Sequence, residues 1–138
     1  MKRFLFPAAA LILSACATAP DSGDEVSACL AETFPVYFAR DEKGLSAPAQ
    51  ELLDVAAERL SGCAGGSLEV VGYTDAVGNE TLNQRIAGER AQAVLDGLTA
   101  RGVQPQQIKL TPVGEAGAKT ADGETVPMRR RVEVRFIP

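Results

Sequence analysis

The sequence contains no histidine and no tryptophan, and its aromatic residues are limited to five phenylalanines and two tyrosines. Without histidine the chain has no Ser-His-Asp or Cys-His catalytic group, no imidazole base and no histidine metal ligand. So few aromatic rings offer little surface for stacking nucleic-acid bases. The net charge of −4 does not favour binding to a phosphate backbone. We therefore expect no metal, no organic cofactor and no nucleic-acid partner.

The apolar run near the N-terminus, Phe4 to Leu13, is short and contains Pro7. A helix of that length covers about 15 Å, which is roughly half of the hydrocarbon core of a bilayer. The run follows the basic residues Lys2 and Arg3 and precedes small residues, which is the pattern of a secretory signal peptide. We therefore expect an exported protein.

The signal sequence ends in the letters LSAC at residues 13–16, which resemble a bacterial lipobox. In proteins with that motif the cysteine is lipidated and the signal is cut just before it. The resemblance implies that residues 1–15 are removed and that Cys16 carries the lipid. The residue after the cysteine is Ala17 and not aspartate. By resemblance to enterobacterial lipoproteins, this implies sorting to the outer membrane, with the domain facing the periplasm. An ordinary signal peptide that happens to contain a cysteine is the alternative.

The three cysteines divide into Cys16 and a remaining pair, Cys29 and Cys63. The periplasm is oxidising, and two remaining cysteines fit one disulfide. They lie 34 residues apart in the sequence, and closing a loop of that length contributes about 3–4 kcal/mol of stability in the loop-entropy picture. Two unpaired buried cysteines are the alternative.

The pattern of apolar residues predicts one domain at residues 34–138, preceded by a lipidated N-terminus and short tether at residues 16–33. Its predicted order is β-α-β-α-β-β, an α+β fold in which two helices pack on one face of a mixed sheet. The strands are predicted at 34–38, 67–72, 108–113 and 131–137, the helices at 45–60 and 81–101, and a long loop at 114–126.

The second predicted helix carries two polar residues beside its apolar stripe. At 100° per residue, Asn83 and Arg90 fall on one line at the edge of the buried face. An arginine at such a position is costly unless it is paired, and Asp75 lies in the loop that precedes the helix. We expect Asp75, Asn83 and Arg90 to converge. The alternative is that Asp75 braces its own loop and Arg90 reaches out to solvent.

Residues 72–78 (GYTDAVG) and 83–91 (NQRIAGERA) resemble the signature of OmpA-like peptidoglycan-binding domains, G-H-T-D-x-x-G followed by N-x-x-L-S-x-x-R-A. Residues 114–115 resemble the family's G-x-G-E turn, and residues 130–133 resemble its N-R-R-V-E segment. The resemblance covers about residues 34–136, in the element order predicted above.

The resemblance implies binding of the peptide stem of peptidoglycan, chiefly meso-diaminopimelate. By position, Asp75 and Arg90 grip this group, and Asn83 adds donors. Thr74 and Tyr73 are the motif residues beside Asp75, and Arg131 holds the site or the sheet.

The sequence departs from the family pattern in four places. Tyr73 replaces the family's histidine, residues 86–87 are Ile-Ala where the pattern has Leu-Ser, the first glycine of the G-x-G-E turn is absent, and Arg129 replaces the asparagine before Arg-Arg. The arginine run that follows could equally be a solvated strand end.

These observations predict a non-enzymatic, lipid-anchored outer-membrane protein that binds peptidoglycan and anchors the membrane to the wall. Alanine at Asp75 or Arg90 is expected to abolish binding to sacculi and leave the fold intact. The alternative is an interaction subunit of an envelope complex, such as a Tol-Pal-like or secretion-system lipoprotein, with envelope protein partners. A hydrolase is disfavoured because the chain has no histidine, commits Cys16 to lipid and has no closely spaced pair of carboxylates in a motif.

Overall fold

The structure is a computed structural model that describes residues 33–61, 63 and 65–138. The predicted signal peptide, the lipidation site Cys16, Cys29 and the tether up to residue 32 lie outside the described residues. Among the described helices, none has the length and apolarity needed to cross a membrane.

The described chain forms four strands, two α-helices and one short 3₁₀ helix. The elements are β1 (Phe34–Tyr37), α1 (Ala47–Ser61), β2 (Ser67–Tyr73), α2 (Glu80–Ala100), β3 (Gln107–Gly114), the 3₁₀ helix (Pro127–Arg129) and β4 (Arg131–Ile137). This order confirms the predicted α+β fold. The long loop after β3 is less irregular than predicted, because Lys119 and Thr125 form an isolated bridge and the 3₁₀ helix follows.

The sheet has the strand order β1-β4-β2-β3. β4 is antiparallel to both of its neighbours, whereas β2 and β3 are parallel. A parallel pair needs a long crossover connection, and α2 provides it. Residues of β2 alternate between buried and half-buried positions, so one face of the sheet packs on the helices and the other carries polar and charged side chains.

Local sequence signals set both ends of α2. At its start, the Asn79 side chain accepts a hydrogen bond from the Leu82 N–H at 2.8 Å, a standard N-cap. At its end, Gly102 has φ +89°, a left-handed conformation that favours glycine and ends the helix. The helix lies between these two ends, and its buried residues include Asn83 and Arg90.

Gly72 lets α2 lie directly on β2. A Cβ atom at this position would stand 2.2 Å from the carbonyl oxygen of Ala87. This separation is too short for a carbon and an oxygen that are not bonded to each other. The glycine therefore allows the middle of the helix to approach the strand backbone. This close approach places the loop that follows β2 beside the first turns of α2.

Candidate functional site

Four polar or charged residues are buried within the described part of the chain: Thr74, Asp75, Asn83 and Arg90. All four are among the residues predicted from the sequence. They lie just after the end of β2 and on the first three turns of α2. Burial of so many polar groups in one region is costly unless each is compensated, so the partners of each side chain indicate what the region can do.

Asp75 pairs with Arg130, not with Arg90 as the sequence suggested. Its Oδ2 accepts a hydrogen bond from Arg130 Nη1 at 3.0 Å, and its Oδ1 accepts the Val77 N–H at 3.3 Å. The Nε of Arg130 donates to the carbonyl oxygen of Phe38 at 3.2 Å. Asp75 is thus held from two sides, and its carboxylate is fixed at the start of the loop before α2.

Arg90 is only 1% exposed, so the alternative that it reaches out to solvent is wrong. Its Nε donates to the carbonyl oxygen of Glu42 at 2.8 Å. Its Nη2 donates to the carbonyl oxygens of Ala39 and Arg40 at 2.9 and 3.0 Å. The guanidinium carbon also lies 5.2 Å from the centroid of the Phe38 ring. The segment after β1 therefore wraps around the end of the arginine.

The charge of Arg90 is incompletely compensated. Burial lowers the pKa of its guanidinium, the Asp75 carboxylate raises it, the Arg130 cation lowers it, and the carboxylates of Asp41 and Glu42 raise it. Arginine nevertheless stays protonated in proteins. Within the described residues its Nη1 makes no hydrogen bond and no carboxylate forms an ion pair with it. A buried cation beside a fixed carboxylate therefore keeps one donor nitrogen available.

Asn83 and Thr74 connect the site to the turn after β3. The Asn83 Nδ2 donates to Glu115 Oε2 at 2.5 Å, and the Thr74 N–H donates to the Gly114 carbonyl at 2.8 Å. The hydroxyl oxygen of Thr74 is buried and has no hydrogen-bond partner among the residues that the structure describes. A buried hydroxyl without a partner is rare in folded proteins and can mark a place that a ligand completes.

Tyr73 and Arg131 lie at the edge of this region. The guanidinium carbons of Arg129 and Arg131 stand 4.4 and 4.9 Å from the centroid of the Tyr73 ring. Arg131 pairs with Glu133, with 2.6 Å between Nη2 and Oε1, and its Nη1 donates to the Met128 carbonyl at 3.1 Å. Its contacts are those of a residue that holds the sheet, and it approaches the buried site through Tyr73.

Sequence reasoning missed Arg130 and Glu115 as partners of the site. Both belong to segments that resemble the family pattern, the Arg-Arg pair and the Gly-Glu turn, but neither was singled out. The first arginine of the pair precedes β4 and reaches Asp75, whereas the second is the first residue of the strand. The start of β4 at Arg131 was the signal that could have distinguished the site partner Arg130 from Arg131.

Cys63 is disulfide-bonded. Its partner lies outside the described residues, so the pairing with Cys29 stays a prediction. Within the same described part of the chain, no group of three or more histidine, cysteine, aspartate or glutamate side chains is placed to hold a metal ion.

The model of the OmpA family matches residues 37–132, which include both segments of the site. The chain belongs to the OmpA family. Outer membrane protein A of Serratia marcescens is 38% identical over 89 residues, 63% of this chain and 25% of that protein. The peptidoglycan-binding protein ArfA of Mycobacterium tuberculosis is 33% identical over 102 residues, 72% of this chain and 31% of that protein. The match thus spans between a quarter and a third of these relatives.

Solved structures of OmpA-like domains share the fold. The peptidoglycan-associated lipoprotein from Burkholderia pseudomallei superposes with a TM-score of 0.63 at 24% identity, over 74% of this chain and 88% of that one. The C-terminal domain of Helicobacter pylori MotB gives a TM-score of 0.66 at 19% identity, over 76% and 84% of the two chains. At these identities the likeness supports the fold, and the function is argued from the site.

Proposed function

We propose that the chain is a non-enzymatic protein that binds the peptide stem of peptidoglycan, through meso-diaminopimelate, at the site formed by Asp75 and Arg90. One observation carries the proposal: Arg90 is a buried cation that backbone carbonyls hold in place without a carboxylate partner in the described residues. A ligand carboxylate would neutralise this charge in a preformed position.

The chemistry of diaminopimelate fits the two charges. Its free end carries a carboxylate and an ammonium group on one carbon. Arg90 Nη1 can donate to the carboxylate in a charge-assisted hydrogen bond. Asp75 can accept from the ammonium group, because its two oxygens have capacity beyond Arg130 and Val77. The hydroxyl of Thr74 and the amide of Asn83 supply further polar contacts.

We further propose that the protein is attached to the outer membrane by lipid at Cys16, and that its domain faces the periplasm and anchors the membrane to the wall. The lipobox-like sequence at residues 13–16 supports the attachment. Relatives named as outer membrane proteins and a structural neighbour named as a peptidoglycan-associated lipoprotein support the location.

The test is a pulldown of the full chain with purified sacculi. Because Arg90 also holds the segment after β1, alanine there would disturb the fold, so Arg90→Lys and Asp75→Asn are the appropriate variants. Each is expected to weaken binding by about tenfold or more. The matched controls are Arg101→Lys at the end of α2 and Glu69→Gln on the open face of the sheet, and both should bind like the parent protein.

Circular dichroism and thermal unfolding establish that each variant is folded. Free diaminopimelate should compete with sacculi for the parent protein. If folded Asp75→Asn and Arg90→Lys variants bind sacculi as well as the parent, the proposed site is wrong.

A second function, as an interaction subunit of an envelope complex, is favoured by the short tether. The chain from Cys16 to Cys29 has 13 residue-to-residue steps, which span at most about 45 Å when fully extended. If the predicted disulfide fixes Cys29 to the domain, the domain lies close to its membrane, where it can contact membrane-bound partners. Crosslinking in cells separates the two functions, because protein adducts that persist in Asp75→Asn would indicate partners independent of the wall.

A further inference from the structure

Arg129, at the edge of the site, is a cation that forms no ion pair with the described residues. Its guanidinium carbon lies 4.4 Å from the centroid of the Tyr73 ring. Its Nη2 donates to the Ala116 carbonyl, and its Nε is buried without a hydrogen-bond partner in the described part of the chain. The neighbouring Arg130 and Arg131 each pair with a carboxylate, whereas no carboxylate in the described chain forms an ion pair with Arg129.

Two lines of contact place Arg129 at the rim of the site. Along the chain, Tyr73 is followed at once by Thr74 and Asp75, two of the buried polar residues. Across the turn after β3, Ala116 adjoins Glu115, which accepts the hydrogen bond from Asn83. The guanidinium of Arg129 therefore contacts two segments whose next residues along the chain belong to, or bond with, the buried polar group.

A guanidinium stacked on an aromatic ring loses little freedom when it binds an anion. The ring occupies one flat face of the group and leaves the planar fork of N–H donors at its edge uncovered. In Arg129 the Nη2 of this fork is bonded to the Ala116 carbonyl, whereas the Nη1 makes no hydrogen bond to the described residues. Such a fork suits a carboxylate better than a carbonyl. The fixed orientation and the lack of an ion pair with the described residues together point to an anionic ligand group at this rim.

We propose that Arg129 is a second carboxylate-binding residue, and that the site consequently favours stem peptides whose glutamate α-carboxylate is free over the same peptides with that carboxylate amidated. The inference rests on the proposed function, in which Arg90 takes the carboxylate of diaminopimelate. The glutamate before diaminopimelate in the stem is linked through its side chain, which leaves its α-carboxylate free. The guanidinium of Arg129 donates to that second carboxylate, and amidation removes the charge of the carboxylate.

The test is calorimetric binding of the full chain to two peptides, L-Ala-γ-D-Glu-meso-diaminopimelate and its analogue with the glutamate α-carboxylate amidated. The parent protein should bind the free acid about fivefold more tightly, as expected for one partly exposed charge pair. Arg129→Gln should bind both peptides with equal affinity, close to that of the parent for the amide. The matched control is Arg135→Gln, which removes the same charge from the far part of β4 and should keep the fivefold preference.

The outcomes separate the two proposals. A folded Arg129→Gln variant that keeps the preference for the free acid overturns the role of Arg129. Equal weakening towards both peptides overturns it as well, because this indicates that Arg129 only supports the structure. If the parent protein binds neither peptide, the proposed function fails and this inference fails with it.

Discussion

Replacement of Gly72 by alanine tests whether the close approach of α2 to β2 builds the site. The added Cβ would lie 2.2 Å from the Ala87 carbonyl oxygen and 2.8 Å from its carbonyl carbon. Even weak C–H···O contacts keep carbon and oxygen about 3.3–3.6 Å apart. The helix or the strand must therefore move by about 1 Å, because the atoms that collide belong to the backbone and no side-chain rotation can relieve them.

Such overpacking typically costs about 1–3 kcal/mol, and we expect Gly72→Ala to lie at the upper end of this range. The displacement also has a cost for binding. Asp75 follows Gly72 by three residues and Arg90 follows Ala87 by three, so a shift between strand and helix separates the two charges of the site. We expect binding to sacculi to fall together with stability.

Gly88→Ala is the matched control, because its Cβ would meet only the Pro112 side chain, at an ordinary 3.7 Å. This change within α2 should stabilise the protein by up to about 1 kcal/mol, since glycine is a poor helix former. Urea unfolding followed by circular dichroism measures both variants. A Gly72→Ala protein as stable as its parent would refute the argument from close approach.

Two further pairs of substitutions test the core and the disulfide. Leu53→Ala should lower the free energy of unfolding by about 2–5 kcal/mol, because Leu53 is completely buried. The control Leu52→Ala should have a small effect, because Leu52 is 37% exposed. Equal losses of stability would contradict the packing of α1. If Cys29 and Cys63 form the predicted disulfide, Cys29→Ser and Cys63→Ser should each lower the free energy of unfolding by about 3–4 kcal/mol, because either change then removes the same bridge. Free thiols in the exported parent protein would contradict the pairing.

The order of the elements could be predicted because each carries a local signal. The apolar stripe of α2 and the alternation in β4 can each be recognised within one continuous segment of the sequence. The turn residues that separate the elements are local signals as well. The same periodicity placed Asn83 and Arg90 at the buried edge of α2, and both are buried. A helical angle computed from spacing was sufficient for that inference.

The partners within the site could not be predicted in the same way. Asp75 meets Arg130 from 55 residues away, and Asn83 meets Glu115 from 32 residues away. Only tertiary folding brings these pairs together. The acceptors of Arg90 are backbone carbonyls, and because every residue has a carbonyl, this partnership leaves no trace in the amino-acid sequence.

The double role of Arg90 limits how this site can change during evolution. The same guanidinium that we propose binds the ligand also fastens the segment after β1 to α2, so most substitutions there would endanger folding before they altered recognition. Residues at the rim do not have this second role in holding the segment after β1. A lineage that adapts to a chemically modified wall is therefore expected to vary at Tyr73 and Arg129, where this chain already departs from the family pattern, and to keep the buried arginine.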